Sequence, residues 1–231
     1  MKTELSYKVI IPARGGSKRF PKKNIFPLNG VPLIVYSIEY AMRYFSPKHI
    51  WVNTDDKVIQ EIAQKSGVNV FIRSEENGSD LAPTAHVLKE HSEFFMNESI
   101  FFDALILLQV TNPLRSNDLM QTAITQFENS KRQSLATYSK LNKKFGSILN
   151  DYFTPENYSF GMRMQDVAPQ YFENGQIYIV SKSAALNGEV ITKDVFPLIV
   201  EDIGAYIDID EPEDIHFAEF IIKTKKHESI Y

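Results

Sequence analysis

The chain contains no cysteine, which excludes disulfide bonds, thiol nucleophiles and cysteine metal ligands. No apolar stretch approaches the roughly 18 consecutive residues that a membrane-spanning helix needs, and a net charge of -4 does not favour a nucleic acid as partner. The five histidines lack the HExxH spacing typical of zinc hydrolases. Residues 1–5 form no apolar signal region, so we expect a cytoplasmic protein that acts on a small molecule.

The residues that are present indicate one folded unit. A chain of 231 residues with 43% hydrophobic content can bury most of its apolar surface in a single domain over residues 1–231, with a small appendage. Because cysteine and histidine offer no catalytic pattern, the chemistry must come from carboxylates, lysines and arginines.

Short apolar runs alternate with segments of helical spacing along most of the chain. The run at residues 9–11, for example, is typical of a strand buried on both faces of a parallel sheet. The alternation predicts an α/β fold with a doubly wound sheet. The predicted strands are 9–11, 49–53, 69–72, 104–108, 135–139, 177–180 and 205–209, and the predicted helices are 32–45, 57–65, 84–96, 118–127 and 212–223.

The alternation breaks between Lys140 and Phe172. This stretch contains aromatic, glycine and proline residues without a clear helical period, and a strand pattern resumes only at Ile177. We therefore interpret residues 140–172 as an arm inserted into the sheet domain.

A cationic loop follows the first predicted strand. Residues 13–24 read ARGGSKRFPKKN and hold five cations within ten residues around a glycine pair. Ligands of open α/β sheets bind beyond the carboxyl ends of strands, where glycine N–H groups can approach phosphate oxygens and cations can neutralise a triphosphate. The loop is predicted to bind phosphate, with an ordinary solvated basic loop as the alternative. The candidate residues are Ala13, Arg14, Gly15, Gly16, Lys18 and Lys23.

Two aspartates alternate with isoleucines near the other end of the chain. In a strand, successive side chains point to opposite faces, so Asp208 and Asp210 would share a face while the isoleucines enter the core. Such a pair suits Mg²⁺, which uses few protein carboxylates and keeps positions for water and phosphate oxygens. The alternative for Asp210 is a helix N-cap, with Glu213 three residues later completing a capping box.

Polar side chains also follow other predicted strands. Gln109, Thr111 and Asn112 could fix sugar hydroxyls where a central strand ends, although turn formation and capping of the next helix explain them equally well. Asn174 precedes a glycine and could simply mark a tight hairpin. Arg73 and Ser79 lie in a loop that could contact a nucleotide or could form solvated surface.

Five segments in this order, IPARGGSKRFPKKNI, NTDD, LLQVTNPLR, ENGQIYI and IDIDEPED, resemble the CMP-sialic acid synthetases, also called acylneuraminate cytidylyltransferases. The resemblance extends over nearly the whole chain. It implies a Rossmann-like nucleotidyltransferase fold and a requirement for CTP and Mg²⁺. It further implies a homodimer in which the arm, residues 140–172, reaches the neighbouring active site.

The same resemblance implies roles for individual residues. Residues assigned to the triphosphate are Arg14, Lys18 and Lys23; to the cytidine, Asn24, Arg73 and Ser79; to the acidic sugar, Gln109, Thr111, Asn112, Asn174 and Tyr178; and to the metal, Asp208 and Asp210. The activity implied is attack by the anomeric hydroxyl of a nonulosonic acid on the α-phosphorus of CTP, giving a CMP-sugar and pyrophosphate.

The sequence departs from the family pattern mainly in the sugar region. Val110-Thr111-Asn112-Pro113 stands where Pro-Thr-Ser-Pro is common, and residues 188–196 lack the paired phenylalanines that often pack an N-acyl group. These departures leave room for a deaminated or differently acylated nine-carbon acid. A cytidylyltransferase for 3-deoxy-octulosonate or another acidic sugar, and a noncatalytic nucleotide-sensing module, are the alternatives.

Overall fold

The computed structural model describes residues 5–17, 19–73 and 84–228, and its centre is a seven-stranded sheet. The strands of this sheet are β1 (Tyr7–Pro12), β4 (Ile50–Thr54), β5 (Asn69–Ile72), β6 (Ala104–Leu107), β7 (Ser134–Lys140), β10 (Tyr171–Ser181) and β11 (Phe196–Ile199). Two short antiparallel pairs lie outside it, formed by β2 (Pro27–Leu28) with β3 (Val31–Pro32) and by β8 (Gly146–Leu149) with β9 (Tyr152–Pro155).

The strand order of the large sheet is β11-β7-β10-β6-β1-β4-β5. Strands β6, β1, β4 and β5 pair in parallel, and β11 pairs in parallel with β7. Strand β10 lies antiparallel between β6 and β7, so it runs against its neighbours. The carboxyl ends of β1, β4 and β6 consequently meet at one edge of the sheet.

Helices cover both faces of the sheet. The described helices are α1 (Leu33–Met42), α2 (Lys57–Lys65), α3 (Thr84–Asn97), α4 (Leu119–Ser130), α5 (Lys182–Leu186) and α6 (Pro212–Glu228). Side chains of α1, α2, α4 and α6 join one core cluster, and side chains of α3 and α5 join a second. In β1, Val9 and Ile11 enter the first cluster and Ile10 enters the second, because successive side chains of a strand point to opposite faces. The prediction of a doubly wound α/β sheet is confirmed.

Most predicted elements agree closely with the structure. Helix α2 and strand β5 have the predicted bounds, and α2 begins after Asp56, whose carboxylate accepts hydrogen bonds from Val58 N at 2.8 Å and Ile59 N at 2.9 Å. None of the helices in the described ranges is long and apolar enough to cross a membrane.

The predicted strand over residues 205–209 is wrong. Residues Ile203–Tyr206 form a 3-10 helix that begins after Asp202, whose carboxylate accepts a hydrogen bond from Gly204 N at 2.7 Å. The chain then continues without regular structure. Ile209 N donates to the carbonyl of Thr111 at 2.8 Å, a contact with a turn instead of with a neighbouring strand. The apolar and acidic alternation is kept nevertheless, since Ile209 is buried and Asp208 is exposed.

Strand β10 is longer than the predicted strand 177–180, and Asn174-Gly175 lies inside it instead of forming a hairpin. The register between β10 and β7 shifts between Glu173 and Tyr178, which marks a β-bulge. Gly175 adopts a φ of 72°, and a Cβ at this position would lie 2.4 Å from Asn112 Oδ1. Glycine therefore permits both the positive φ and the close approach of the Asn112 side chain.

The segment interpreted as an arm contains the small hairpin β8/β9. Its strands pair in register, with Ile148 opposite Phe153 and Leu149 opposite Tyr152. Ile148, Leu149 and Tyr152 are each more than 70% exposed, at 73%, 74% and 78%. A chain of this length normally buries such side chains, so the hairpin presents an uncovered apolar surface.

Candidate active site

A cleft of about 280 Å³ lies beyond the carboxyl ends of β1, β5 and β6. This is the position at which open α/β sheets bind ligands. The described residues that line the cleft are Pro12, Arg14, Gly16, Ser17, Lys23, Asn24, Arg73, Thr84, Val87, Gln109, Val110 and Thr111. Seven of the residues predicted for the site belong to this lining: Arg14, Gly16, Lys23, Asn24, Arg73, Gln109 and Thr111.

The cationic loop forms one wall of the cleft. Lys22 adopts a left-handed conformation with a φ of 58°, and a 3-10 helix follows at Lys23–Ile25. The Asn24 side-chain amide donates a hydrogen bond to the carbonyl of Arg14 at 2.8 Å. Asn24 thus ties the far end of the loop to its start, and Arg14 and Lys23 reach the same cleft. Lys18 lies outside the described residues.

The two loop glycines have different surroundings. Gly15 N donates to Asp55 Oδ1 at 2.9 Å, and a Cβ on Gly15 would lie 2.7 Å from Asp56 Oδ2. Gly15 therefore packs against the start of α2, and its N–H group is already bonded to a carboxylate. Gly16 lines the cleft, and a Cβ there would meet nothing within 4 Å. Ala13, also predicted for the nucleotide, is buried and donates its N–H to the carbonyl of Asn53 at 2.9 Å.

Arg73 enters the cleft from the end of β5. Its backbone N–H donates to the carbonyl of Thr54 at 3.1 Å, and its side-chain Nε donates to Oδ1 of Asn53. Desolvation lowers the pKa of the Arg73 guanidinium below its usual value, although the charge of Asp55 opposes this effect. Asn53 was not among the predicted site residues. Ser79 lies outside the described residues.

The predicted acidic pair and the predicted basic loop meet. Lys23 Nζ lies 2.7 Å from Asp210 Oδ1, and Arg19 binds Asp210 Oδ2 at 2.7 Å. Partial burial would raise the pKa of Asp210, but hydrogen bonds and charges from Lys23 and Arg19 outweigh it and lower that pKa below its usual value. Residues at opposite ends of the chain are therefore joined beside the cleft.

Asp210 does not cap helix α6. The carboxylate of Asp214, within the first turn, accepts hydrogen bonds from the backbone N–H groups of Asp210 and Glu211, both at 2.8 Å. The capping alternative for the Asp210 side chain is therefore wrong, because its two carboxylate oxygens bind Lys23 and Arg19, and it is Asp214 that bonds the backbone just before the helix.

Asp208 has a different electrostatic environment from Asp210. Its side chain is exposed at the surface yet crowded by protein atoms, and this desolvation raises the pKa of its carboxyl group. The negative charge of Asp210 raises that pKa further, whereas a hydrogen bond from Thr111 and the charge of Lys23 lower it. Asp208 is thus within electrostatic reach of both Asp210 and Lys23, as the sequence predicts.

Three residues predicted for the sugar are buried beside the cleft. The Asn174 amide donates to Ser139 Oγ at 2.9 Å, the Asn112 amide donates to the carbonyl of Ile207 at 3.2 Å, and the Tyr178 hydroxyl lies 3.5 Å from Glu173 Oε2. Asn112, Asn174 and Tyr178 retain only 1%, 4% and 7% of their accessible surface. Gln109 and Thr111, by contrast, line the cleft. Contact of the buried side chains with a sugar stays a prediction.

Arg115 supports this polar wall and was not among the predicted site residues. It is buried, and its guanidinium donates to the carbonyl of Gln176 at 2.7 Å, the carbonyl of Gln109 at 2.7 Å and Ser37 Oγ at 3.1 Å. Burial lowers the pKa of Arg115 to about 10. The guanidinium therefore holds the segment that carries Gln109 against the β10 bulge.

In the described ranges, no group of three or more histidine, aspartate or glutamate side chains is arranged to hold a metal ion. Asp208 and Asp210 form a pair. A pair fits Mg²⁺, which is commonly held by one or two carboxylates and completed by water and phosphate oxygens. A cation between them would also relieve the repulsion that raises the pKa of Asp208.

Comparison with known proteins yields relatives over nearly the whole chain. The family model described as cytidylyltransferase matches residues 8–225. A pseudaminic acid cytidylyltransferase from Campylobacter jejuni is 31% identical over 229 residues, which cover 96% of this chain and 98% of the relative. An N-acylneuraminate cytidylyltransferase from Streptococcus agalactiae is 32% identical over 186 residues, which cover 77% of this chain and 44% of the relative.

Solved structures show the same fold at lower identity. A CMP:2-keto-3-deoxy-manno-octonic acid synthetase in complex with CTP superposes with a TM-score of 0.67 at 15% identity, covering 95% of this chain and 99% of the other. This likeness confirms the Rossmann-like nucleotidyltransferase fold. The family match over residues 8–225 and the relative that is 31% identical over 96% of this chain show that the chain belongs to the cytidylyltransferase family.

Proposed function

We propose that this enzyme transfers CMP from CTP to the anomeric hydroxyl of a nonulosonic acid and releases pyrophosphate. The observation that carries the proposal is the contact of 2.7 Å between Lys23 Nζ and Asp210 Oδ1 beside a cleft at the carboxyl ends of the strands. It supports one site that combines the cations proposed for phosphate with the carboxylates proposed for metal. The relatives named for pseudaminic and N-acylneuraminic acid support a nine-carbon acidic sugar as acceptor.

At phosphorus, the reaction forms one bond and breaks one. The anomeric oxygen attacks the α-phosphorus in line, and the bond between the α-phosphorus and the bridging oxygen breaks to release pyrophosphate. The proton of the sugar hydroxyl passes to water. Arg14 and Lys23 line the cleft, where they would neutralise the triphosphate and the charge that develops on the leaving group. Lys18, from the same loop, completes this proposed set.

Mg²⁺ is the proposed cofactor, and Asp208 and Asp210 would hold it. When bound, the ion supplies charge neutralisation at the phosphates and lowers the pKa of an attacking hydroxyl. Asp210 already contacts two cations, of which Arg19 is the more exposed, with 63% of its side-chain surface accessible against 12% for Lys23. The exposed Arg19 can give up its contact with Asp210 at little cost, because exposed ion pairs contribute about 0–1 kcal/mol.

The wall formed by Gln109, Thr111 and the buried amides is the proposed sugar side of the site. Gln109 and Thr111 line the cleft and can donate to or accept from sugar hydroxyls. Asn112 and Asn174 lie behind them, with Tyr178, in the bulge region of β10. Nucleotide contacts are proposed for Asn24 and Arg73, which line the same cleft, and also for Ala13, Gly15, Gly16 and Ser79.

A homodimer formed through the arm is the proposed assembly in the cytoplasm. The exposed apolar side chains of the β8/β9 hairpin, Ile148, Leu149 and Tyr152, are the surface that would be covered by a second copy. Replacing Ile148 and Tyr152 with serine should convert a dimer to a monomer in sedimentation velocity. Replacing the equally exposed Phe101, outside the arm, should leave the dimer intact.

One assay tests the proposed function. Pyrophosphate release is measured with CTP and Mg²⁺ across N-acetylneuraminate, its deaminated analogue, legionaminate, pseudaminate and 3-deoxy-octulosonate, and again with the other nucleoside triphosphates. Turnover that needs CTP and a nonulosonic acid is the expected result. Turnover with 3-deoxy-octulosonate alone, or CTP binding without turnover on any sugar, would contradict the proposal.

A further inference from the structure

A fully buried asparagine lies directly behind the cleft-lining arginine. Asn53, at the carboxyl end of β4, retains 0% of its accessible surface, and its Oδ1 accepts a hydrogen bond from Nε of Arg73. The backbone of Asn53 is held as well, because it pairs with Pro12 in β1 and its carbonyl accepts from Ala13 N at 2.9 Å. Asn53 is thus fixed in the sheet, whereas Arg73 extends from the strand end into the cleft.

The orientation of the Asn53 amide is dictated by the arginine. A guanidinium has only donors, so the amide oxygen must face it, and the amide nitrogen must point elsewhere. Among the described residues, that buried nitrogen has no hydrogen-bond partner. An unsatisfied buried donor is destabilising, so the structure keeps the contact with Arg73 at the expense of a satisfied amide group. A residue needed only to fill the sheet would not carry this cost.

We propose that Asn53 is a positioning and specificity-determining residue that fixes Arg73 for recognition of the nucleobase. This inference rests on the proposed function. Cytosine presents two neighbouring acceptors, O2 and N3, to which a guanidinium can donate. Uracil presents O2 but carries a hydrogen on N3, so a guanidinium held opposite N3 meets a donor. A fixed Arg73 therefore discriminates CTP from UTP, and an Arg73 able to turn does not.

The contact engages one defined nitrogen of the guanidinium. Nε of Arg73 donates to Asn53, which constrains the plane of the group. Planar guanidinium groups bind two acceptors side by side through a pair of donors. Asn53 is fully buried and is not part of the cleft lining, so it acts through Arg73.

The test compares Asn53→Leu with the wild type in CTP and UTP turnover. Leucine has nearly the same size and removes the acceptor. Base recognition is equal in the ground state and the transition state, so the substitution should raise the KM for CTP and leave kcat nearly unchanged. The expected rise is about 10–100-fold, which is the loss typical of a hydrogen bond to a charged group. The ratio of kcat/KM for CTP to that for UTP should fall by at least tenfold.

Asn69→Leu is the matched control. Asn69 lies on β5, and its amide donates to the carbonyls of Pro47 at 3.2 Å and Ile50 at 3.1 Å, away from the cleft. This variant should lose some stability and keep the CTP-to-UTP ratio of the wild type. A merely structural role for Asn53 would make Asn53→Leu behave in the same way, with activity on both nucleotides reduced in proportion to the folded fraction.

An unchanged KM and an unchanged CTP-to-UTP ratio in folded Asn53→Leu would overturn the inference. If that variant does not fold, Asn53→Ser is the second variant, because serine is small and polar but too short to reach Nε. It should lower the ratio by a comparable factor, and an unshifted ratio would again overturn the inference. Calorimetric binding of CMP and UMP, without sugar, distinguishes a failure of the proposed function from a failure of the role of Asn53. Failure of the wild type to prefer CMP refutes the proposed function, whereas a preference that the variants retain refutes only the role of Asn53.

Discussion

Acidification should destabilise the fold through one buried histidine. His91, in α3, retains 0% of its accessible surface, and neither ring nitrogen has a hydrogen-bond partner in the part of the chain that the structure describes. Its ring packs 4.3 Å from the Phe71 ring and 5.4 Å from the Phe95 ring, measured between centroids. Desolvation lowers the pKa of His91 to about 3, and the positive charge of Arg73 contributes in the same direction.

The sign and the size follow from proton linkage. In the unfolded chain the histidine has a pKa of about 6.5, so between pH 6.5 and pH 3 the unfolded state binds a proton that the native state does not. The contribution of the neutral His91 to the free energy of unfolding is therefore fully present above pH 6.5 and is lost as the pH falls below that value. A pH of 5 lies about 1.5 units below the pKa of the unfolded state, which corresponds to a loss of about 2 kcal/mol in the free energy of unfolding.

Urea denaturation at pH 5, 6, 7 and 8 measures this loss in the wild type and in His91→Phe. Phenylalanine keeps an aromatic ring in the aromatic cluster and removes the two unsatisfied nitrogens, so the variant should match or exceed the wild type at pH 8. It should lose about 2 kcal/mol less than the wild type between pH 8 and pH 5. His216→Gln, at an exposed position, serves as the control and should follow the wild type. Parallel curves for wild type and His91→Phe would refute the reasoning.

Three further predictions concern the cleft and its support. Lys23→Ala should fold normally and lose on the order of 10² to 10³ in turnover, the typical effect of one lost transition-state donor. Lys22 is exposed and lies outside the cleft lining, so Lys22→Ala should keep the wild-type turnover. Equal turnover in both variants would contradict the role of Lys23. Gly175→Ala should lower the midpoint of urea unfolding, because alanine is strained at a φ of 72° and its Cβ would lie 2.4 Å from Asn112 Oδ1. A midpoint equal to that of the wild type would contradict this prediction and show that the bulge can relax. Arg115→Met should lower the free energy of unfolding by on the order of 1–3 kcal/mol, since the buried carbonyl of Gln176 loses its donor while the carbonyl of Gln109 keeps bonds from Ser37 and Asn112. A free energy of unfolding equal to that of the wild type would contradict this assignment.

The sequence predicts the sheet well because its strands are buried on both faces or alternate with long amphipathic helices. Continuous apolar runs such as Val9 to Ile11 and the periodic helices between strands leave few other arrangements. It also predicts where Arg14 and Lys23 lie, since the carboxyl ends of parallel strands meet at one edge.

The failures have identifiable physical causes. The alternation at residues 207–210 predicts a strand, but the hydrogen bond from Ile209 N goes to a turn carbonyl at Thr111, and no periodicity reports that partner. Asn174-Gly175 looks like a hairpin because a bulge inside a strand requires the same positive φ. Arg115 was missed because a charged residue in a turn is usually solvated, and only the packing of β10 shows that this one is buried.

The position of β10 has a consequence for how the chain acquires its structure during synthesis. Strands β1, β4, β5 and β6 can assemble from the first 107 residues, but β7 joins them solely through β10, which ends at Ser181. Until that strand emerges, β6 offers an unpaired apolar edge, Ala104 to Leu107, to any other nascent chain. Ribosomal release of a fragment ending before residue 171 should therefore yield an aggregation-prone species in place of a smaller stable domain.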